Sequence, residues 1–146
     1  MQKIPLEIIT LEGDGFHILV NVRLLDQPFK MVVDTGASKT VLDKNTLLES
    51  GIQDHDFEKS NIISTGLGTN SMESFMLQIP EIKLSNWSIK NHVTAVLDLS
   101  TINYAYNQMH LDPVVGVLGG DILTRYGALI DYKKRTLTLN ERKIKI

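Results

Sequence analysis

An acid, a hydroxyl and a glycine come directly after an apolar run in Met31-Val32-Val33-Asp34-Thr35-Gly36-Ala37-Ser38. A β-type run of this kind delivers Asp34 to the end of a strand, and Gly36 permits a tight turn in which the backbone comes close to another group. A carboxylate in that position is rigidly held and partly desolvated, which suits it to moving protons. Alone, the tripeptide Asp-Thr-Gly is a weak signal, expected by accident in roughly a few per cent of chains this long. A second segment adds weight: Val117-Leu118-Gly119-Gly120-Asp121-Ile122-Leu123, whose Gly119 lies 83 residues beyond Gly36. Its glycines leave room for close backbone crossing.

The elements that must position these residues read mostly as strands. Residues 6–12 form one, Gly13-Asp14-Gly15 turns the chain, and Phe16, Ile18, Val20, Val22 and Leu24 alternate with His17, Asn21 and Arg23 in the period of a half-buried strand. Asp26-Gln27-Pro28 turns again, and Phe29–Val33 returns to Asp34. Val41-Leu42-Asp43 with Leu47-Leu48 predicts a short helix capped by Asp43 and stopped by Gly51. Residues 57–63 and 72–79 predict a hairpin whose tip, 64–71, carries Gly66, Leu67 and Gly68. After Ile82-Lys83-Leu84 and the turn Ser85-Asn86, Trp87, Ile89, Val93, Ala95 and Leu97 are placed on one face of a further strand. Leu99, Ile102, Tyr106 and Met109 have helical spacing within 98–113, behind a cap at Ser100 or Asp98. Val114–Leu118 predicts a buried strand, followed by a short helix with Asp121 at its positive end, Arg125 at its negative end and Gly127 as its stop. Residues 128–132 and 135–139 predict a hairpin, and Lys143-Ile144-Lys145-Ile146 an edge strand.

Composition sets the outer limits. A chain of 146 residues with 42% hydrophobic and 22% charged residues has enough apolar side chains for one domain with its own core. With no cysteine there is no disulfide framework, thiol nucleophile or cysteine-bound metal. A net charge of −2 gives no general attraction to nucleic acid, and no apolar run reaches the roughly 18 residues of a membrane helix. Met1-Gln2-Lys3-Ile4-Pro5 lacks the apolar region of a secretory signal, so a cytoplasmic location is expected.

The two motifs, in this order and across most of the chain, resemble those of the retropepsin family of aspartic peptidases, the single-domain group that includes the retroviral proteases. The resemblance implies a mostly β, closed, barrel-like acid-protease fold with two or three short helices. Residues 1–146 would form one domain, with 98–113 an inserted helix or lid, and the chain termini would join a sheet shared between two subunits. It also implies an aspartic endopeptidase. Hydrolysis without metal or covalent intermediate needs one group to take a proton from water and another to protonate the carbonyl oxygen, and two touching carboxylates that share one proton do both, as is established for aspartic proteases. The chain holds a single Asp-Thr-Gly, since Asp131 is followed by Tyr132-Lys133. The pair is therefore expected to be Asp34 from each subunit of a homodimer, with a mildly acidic optimum. By resemblance, Thr35 hydrogen-bonds across the two-fold axis, Gly36, Ala37 and Ser38 meet an extended peptide or protein substrate, Gly66, Leu67 and Gly68 form a flap over it, and Gly119 supports the signature loop. No cofactor or metal is expected. Retroviral members commonly carry an acid and an arginine where this chain has Ser38 and Gly120, so one dimer-steadying ion pair is missing.

Other readings remain. The same module could bind peptides or dimerise without catalysis. A metal-dependent hydrolase would have to rest on Asp54-His55-Asp56 with His92 or His110, which lack the helical spacing of a zinc site and read as surface residues. Gly66-Leu67-Gly68 precedes a strand where a phosphate loop needs a helix. Lys133, Lys134, Arg135, Arg142, Lys143 and Lys145 read as a solvated face with no nucleic-acid role.

Overall fold

The computed structural model describes residues 1–11, 13, 15–60 and 73–146, the side chain of Ser60 excepted. The elements within them are β1 Gln2–Leu11, β2 Gly15–Leu24, β3 Gln27–Val33, β4 Val41–Asp43, α1 Lys44–Glu49, a 3-10 turn Asp54–Asp56, β5 Glu58–Ser60, β6 Ser74–Leu84, β7 Trp87–Leu97, α2 Ser100–Gln108, β8 Gly116–Leu118, α3 Gly120–Arg125, β9 Leu129–Asp131 and β10 Thr136–Leu139. The strand order is β5-β6-β7-β4-β8-β3-β2-β1-β10-β9, and β6 also pairs with β2. That extra pairing closes β6, β7, β4, β8, β3 and β2 into a six-stranded barrel. Closure pairs every barrel strand on both sides and leaves β5 and β9 as the outer strands of the order.

The ladder directions bring the two motifs together. β3 and β8 run parallel, with Val33 opposite Leu118, so Asp34 and Gly119 leave the barrel side by side. On its other flank β8 pairs antiparallel with β4, Val41 opposite Val117. Residues 34–40 must therefore cross the exit of β8 to pass from one flank to the other. Gly119 sits under this crossing: a Cβ there would fall on the Lys39 carbonyl, 2.5 Å from its carbon and 2.9 Å from the Thr40 nitrogen.

The strands around the crossing are apolar on both faces because both faces are covered. Val20, Val22, Met31, Val33, Leu42 and Leu118 join a large cluster with Ile122 and Leu123 of α3. Leu19, Val32, Val41 and Val117 point the other way, into a second cluster with Leu99 and Tyr106, against which Ile102 and Met109 of the α2 segment pack. The helical spacing read in 98–113 is thus the face by which α2 covers the sheet.

Several sequence expectations need correction. Val41–Asp43 is a strand pairing with both β7 and β8, and the helix begins only at Lys44, although Asp43 does cap it by accepting the Thr46 N–H at 3.1 Å. β1 starts at Gln2 and its first residues pair with β10. On β7 the face changes midway: Trp87 and Ile89 are buried, then Thr94 and Val96, while Val93 is 53% exposed. The change falls at Asn91, whose φ is 55°, beside Pro80 of β6, where alternation also shifts from Leu77 and Ile79 to Ile82 and Leu84. Residues 143–146 form no strand; Ile144 instead donates its N–H to the Arg125 carbonyl at 2.7 Å. Neither Ser100 nor Asp98 is the N-cap of α2, which is Leu99 without a side-chain cap bond, although the Asp98 carboxylate accepts the Ser100 N–H at 2.9 Å. The hairpin tip 64–71 lies outside the described residues.

Candidate active site

Asp34 begins the crossing loop half-buried, and Thr35, Gly36 and Ser38 beside it are exposed. Its N–H continues the β3 ladder by donating to the Leu118 carbonyl at 3.0 Å, and its own carbonyl accepts the Ala37 N–H at 3.2 Å. The side chain turns back into the loop, where Oδ1 accepts the Gly36 N–H at 3.0 Å. Main-chain bonds on both sides hold the Asp34 backbone, the Gly36 N–H orients its carboxylate, and Oδ2 has no protein partner among the described residues. Among the described residues nothing in the subunit demands a glycine at 36: a Cβ there would meet only Asp34 Oδ1, at 3.4 Å, an ordinary contact.

The far end of the loop is held by side chains. Asp121 Oδ1 accepts the Thr40 N–H at 2.9 Å, the Thr40 hydroxyl at 2.8 Å and the Ile122 N–H at 2.9 Å. The Thr40 hydroxyl in turn accepts the Gly119 N–H at 3.1 Å, and the Ala37 carbonyl accepts the Gly120 N–H at 2.7 Å. Asp121 Oδ2 accepts from His92 Nε2 at 3.0 Å. Burial would push the Asp121 carboxyl up, but His92 and the two Thr40 donors outweigh it and hold the group below its ordinary value.

Six of the predicted site positions thus meet in one loop crossing: Asp34, Thr35, Gly36, Ala37, Ser38 and, beneath them, Gly119. Ala37 lies partly buried against the α2 cluster, and Ser38 faces solvent. Gly66, Leu67 and Gly68 are outside the described residues. Thr40 and His92 are the residues that sequence reasoning missed. Thr40 is fully buried, a state that an isolated threonine after a turn does not signal. His92 faces inward only because β7 changes face at Asn91.

Two neighbouring features have other locations. A cleft of about 830 Å³ between α1 and α2 is lined by Phe29, Asn45, Tyr104, Asn107 and Val115 among others, with no residue of the 34–40 loop. His55 contacts Asp56 on the exposed 3-10 turn, and among the described residues no three His, Asp or Glu side chains are grouped to hold a metal ion. No helix among them is long and apolar enough to cross a membrane.

Comparison with known proteins agrees with this geometry. A family profile described as aspartyl protease matches residues 20–122, which include the whole crossing. The fold is similar to that of a retropepsin-like aspartic protease from Rickettsia conorii (24% identity over 97% of this chain and 96% of that one, TM-score 0.60). It is also similar to the retroviral protease-like domain of Ddi1 from Leishmania major (18% identity, 86% and 89% covered, TM-score 0.58). EIAV protease, in its complex with the inhibitor HBY-793, matches at 25% identity over 84% of this chain and 99% of its own, with a TM-score of 0.57. A search of curated protein sequences gives no significant match.

Proposed function

Because the chain belongs to the aspartyl protease family, we propose that it is an aspartic endopeptidase whose active centre is a pair of Asp34 carboxylates, one from each subunit of a homodimer. The observation that carries the reading is the Asp34 loop itself. One carboxylate is held by the Gly36 N–H at the mouth of a barrel, beside an exposed Thr35 and a Gly36 whose missing side chain serves no contact among the described residues of the subunit. A lone carboxylate takes a proton from water but has no partner to protonate the carbonyl oxygen. A second one within contact distance supplies that partner, because like charges so close share a proton.

The sheet supports a second copy as the partner. Gln2–Pro5 already pair with Thr136–Leu139 of the same chain, so at this end of the strand order the outer strand is β9, with Leu129 61% exposed and Tyr132, just beyond it, 64% exposed. Apolar groups along an unpaired edge invite addition of another strand. In this reading Gly36, Ala37 and Ser38 contact the backbone of an extended peptide, and Gly66, Leu67 and Gly68 cover it.

Cleavage of a peptide mixture by parent and Asp34→Asn protein tests the mechanism, with sedimentation equilibrium run alongside. The parent is expected to dimerise, to cleave best at mildly acidic pH, and to lose about 10²–10⁴-fold in rate on substitution. Undiminished cleavage by Asp34→Asn would refute it. A strictly monomeric parent that cleaves nothing would leave the non-catalytic peptide-binding module.

A further inference from the structure

The retroviral ion pair is absent here, with Ser38 and Gly120 in its places, yet the loop that carries Asp34 is still tied to α3. From these contacts we infer that His92 is a positioning residue for the Asp34 loop, acting through Asp121 and Thr40; the catalytic part of this inference rests on the proposed role of Asp34.

The contacts form one chain. Asp121 Oδ1 is occupied by three donors, two of them from Thr40 and the third the Ile122 N–H. The other oxygen, Oδ2, has His92 Nε2 at 3.0 Å as its sole partner among the described residues. Both side chains are about 80% covered, with relative exposures of 20% and 19%. No lysine or arginine forms an ion pair with Asp121 among the described residues, so His92 is what holds Oδ2 inward. With Oδ2 held, Oδ1 points at Thr40. With Oδ2 released, a part-buried carboxylate turns towards water, and the Thr40 N–H and hydroxyl lose their acceptor together. The Thr40 hydroxyl is also the acceptor for Gly119 N–H, so the effect reaches the crossing point beneath Asp34. Imidazole on β7 thereby sets the far end of a loop whose near end is fixed by the Leu118 carbonyl.

The test compares His92→Phe, which keeps a ring but has no donor, with His92→Gln, whose Nε2 amide donor stands near the imidazole Nε2. Backbone amide exchange in D2O is followed for Thr40, Gly119 and Gly120, with Asp34 and the β1–β2 ladder as controls. In His92→Phe these three amides should exchange about tenfold or more faster while the controls are unchanged, and His92→Gln should restore protection to within about twofold of the parent. On a fluorogenic peptide that the parent cleaves, His92→Phe should lose about 10- to 100-fold in kcat with KM nearly unchanged, and His92→Gln should recover it. Uniformly faster exchange, or equal damage from both variants, would mean a packing role only and overturn the inference. The exchange arm needs no substrate, so it decides the brace even if the parent cleaves nothing. Loop loosening with kcat unchanged would refute the catalytic part alone.

Discussion

Gly36 and Gly119 lie in the same crossing, but geometry separates what a methyl group does at each. At Gly36 the added Cβ meets only Asp34 Oδ1, at 3.4 Å, and φ is outside the left-handed region. Alanine there fits the folded subunit and restricts the unfolded chain, which stabilises by about 0.4–1 kcal/mol, or about 1–4 °C in Tm for this size. At Gly119 the Cβ falls on the Lys39 carbonyl and 2.9 Å from the Thr40 nitrogen, backbone atoms that cannot swing aside. Overpacking of that kind costs about 3 kcal/mol, lowering Tm by about 6–12 °C. Unfolding is followed by the fluorescence of Trp87, which is buried against Tyr126 and is the chain's single tryptophan. Because assembly makes Tm depend on concentration, the comparison is made at the dilute limit of a concentration series. Gly36→Ala should match or exceed the parent there, lose the parent's rise of Tm with concentration, and cleave at least about 100-fold more slowly, since its methyl occupies the room that a second loop or a peptide backbone needs. A Gly36→Ala protein that is less stable by about 5 °C or more at the dilute limit would show that the fold itself requires the glycine. One that keeps the parent's concentration dependence and cleavage would show that the room is unused.

Two titrations give further tests. The Asp121 carboxyl lies below its ordinary value of 3.8, so it stabilises the fold fully above that pH and the contribution is lost as pH falls through the lower folded value. Asp121→Asn should therefore be less stable than the parent at pH 7 and show a flatter acid limb in chemical denaturation; parallel acid limbs would refute this. Tyr106 is buried, and burial pushes its phenol up to about 12. A raised phenol stabilises the fold up to its unfolded value near 10 and loses that contribution as pH rises towards the folded one. The Tyr106 hydroxyl hydrogen-bonds His17 Nδ1 at 2.6 Å, so Tyr106→Phe should cost about 1 kcal/mol at pH 8. It should also fall less steeply in denaturation midpoint between pH 10 and 12, and an equal decline in both proteins would count against it.

Much of the crossing was legible because its two runs are short, apolar and end in glycine-bearing polar motifs. Asp34 at a strand end and Gly119 near a backbone crossing both follow from that pattern. What local pattern does not carry is partnership. Val41-Leu42-Asp43 has the apolar spacing of a helix start and becomes a strand because β7 and β8 stand on either side of it. Lys143-Ile144-Lys145-Ile146 has a strand's alternation and no strand results, since β10 already occupies the place beside β1. His92 was hidden by continuity: an alternation read from Trp87 through Leu97 turns it outwards, and only the left-handed Asn91 opposite the Pro80 region turns it in.

The two ends of the Asp34 loop are secured by different physics, and that difference bears on how the site tolerates change. At the near end the holders are main-chain groups, Leu118 carbonyl to Asp34 N–H and Gly36 N–H to Asp34 Oδ1, so most side-chain substitutions leave them intact. At the far end one carboxylate gathers Thr40, Ile122 and His92, and the loss of any member leaves a part-buried acceptor or donor without its partner. Sequence change in the loop is therefore cheapest at Ser38 and Lys39, both exposed, and most costly at Thr40, fully buried with four hydrogen bonds. An ion pair with one member at exposed position 38 would be open to water and add about 0–1 kcal/mol, whereas the buried Thr40–Asp121 contacts are charge-assisted and shielded from water. The loop's geometry thus depends on the polar node below it more than on the surface charges that this chain lacks.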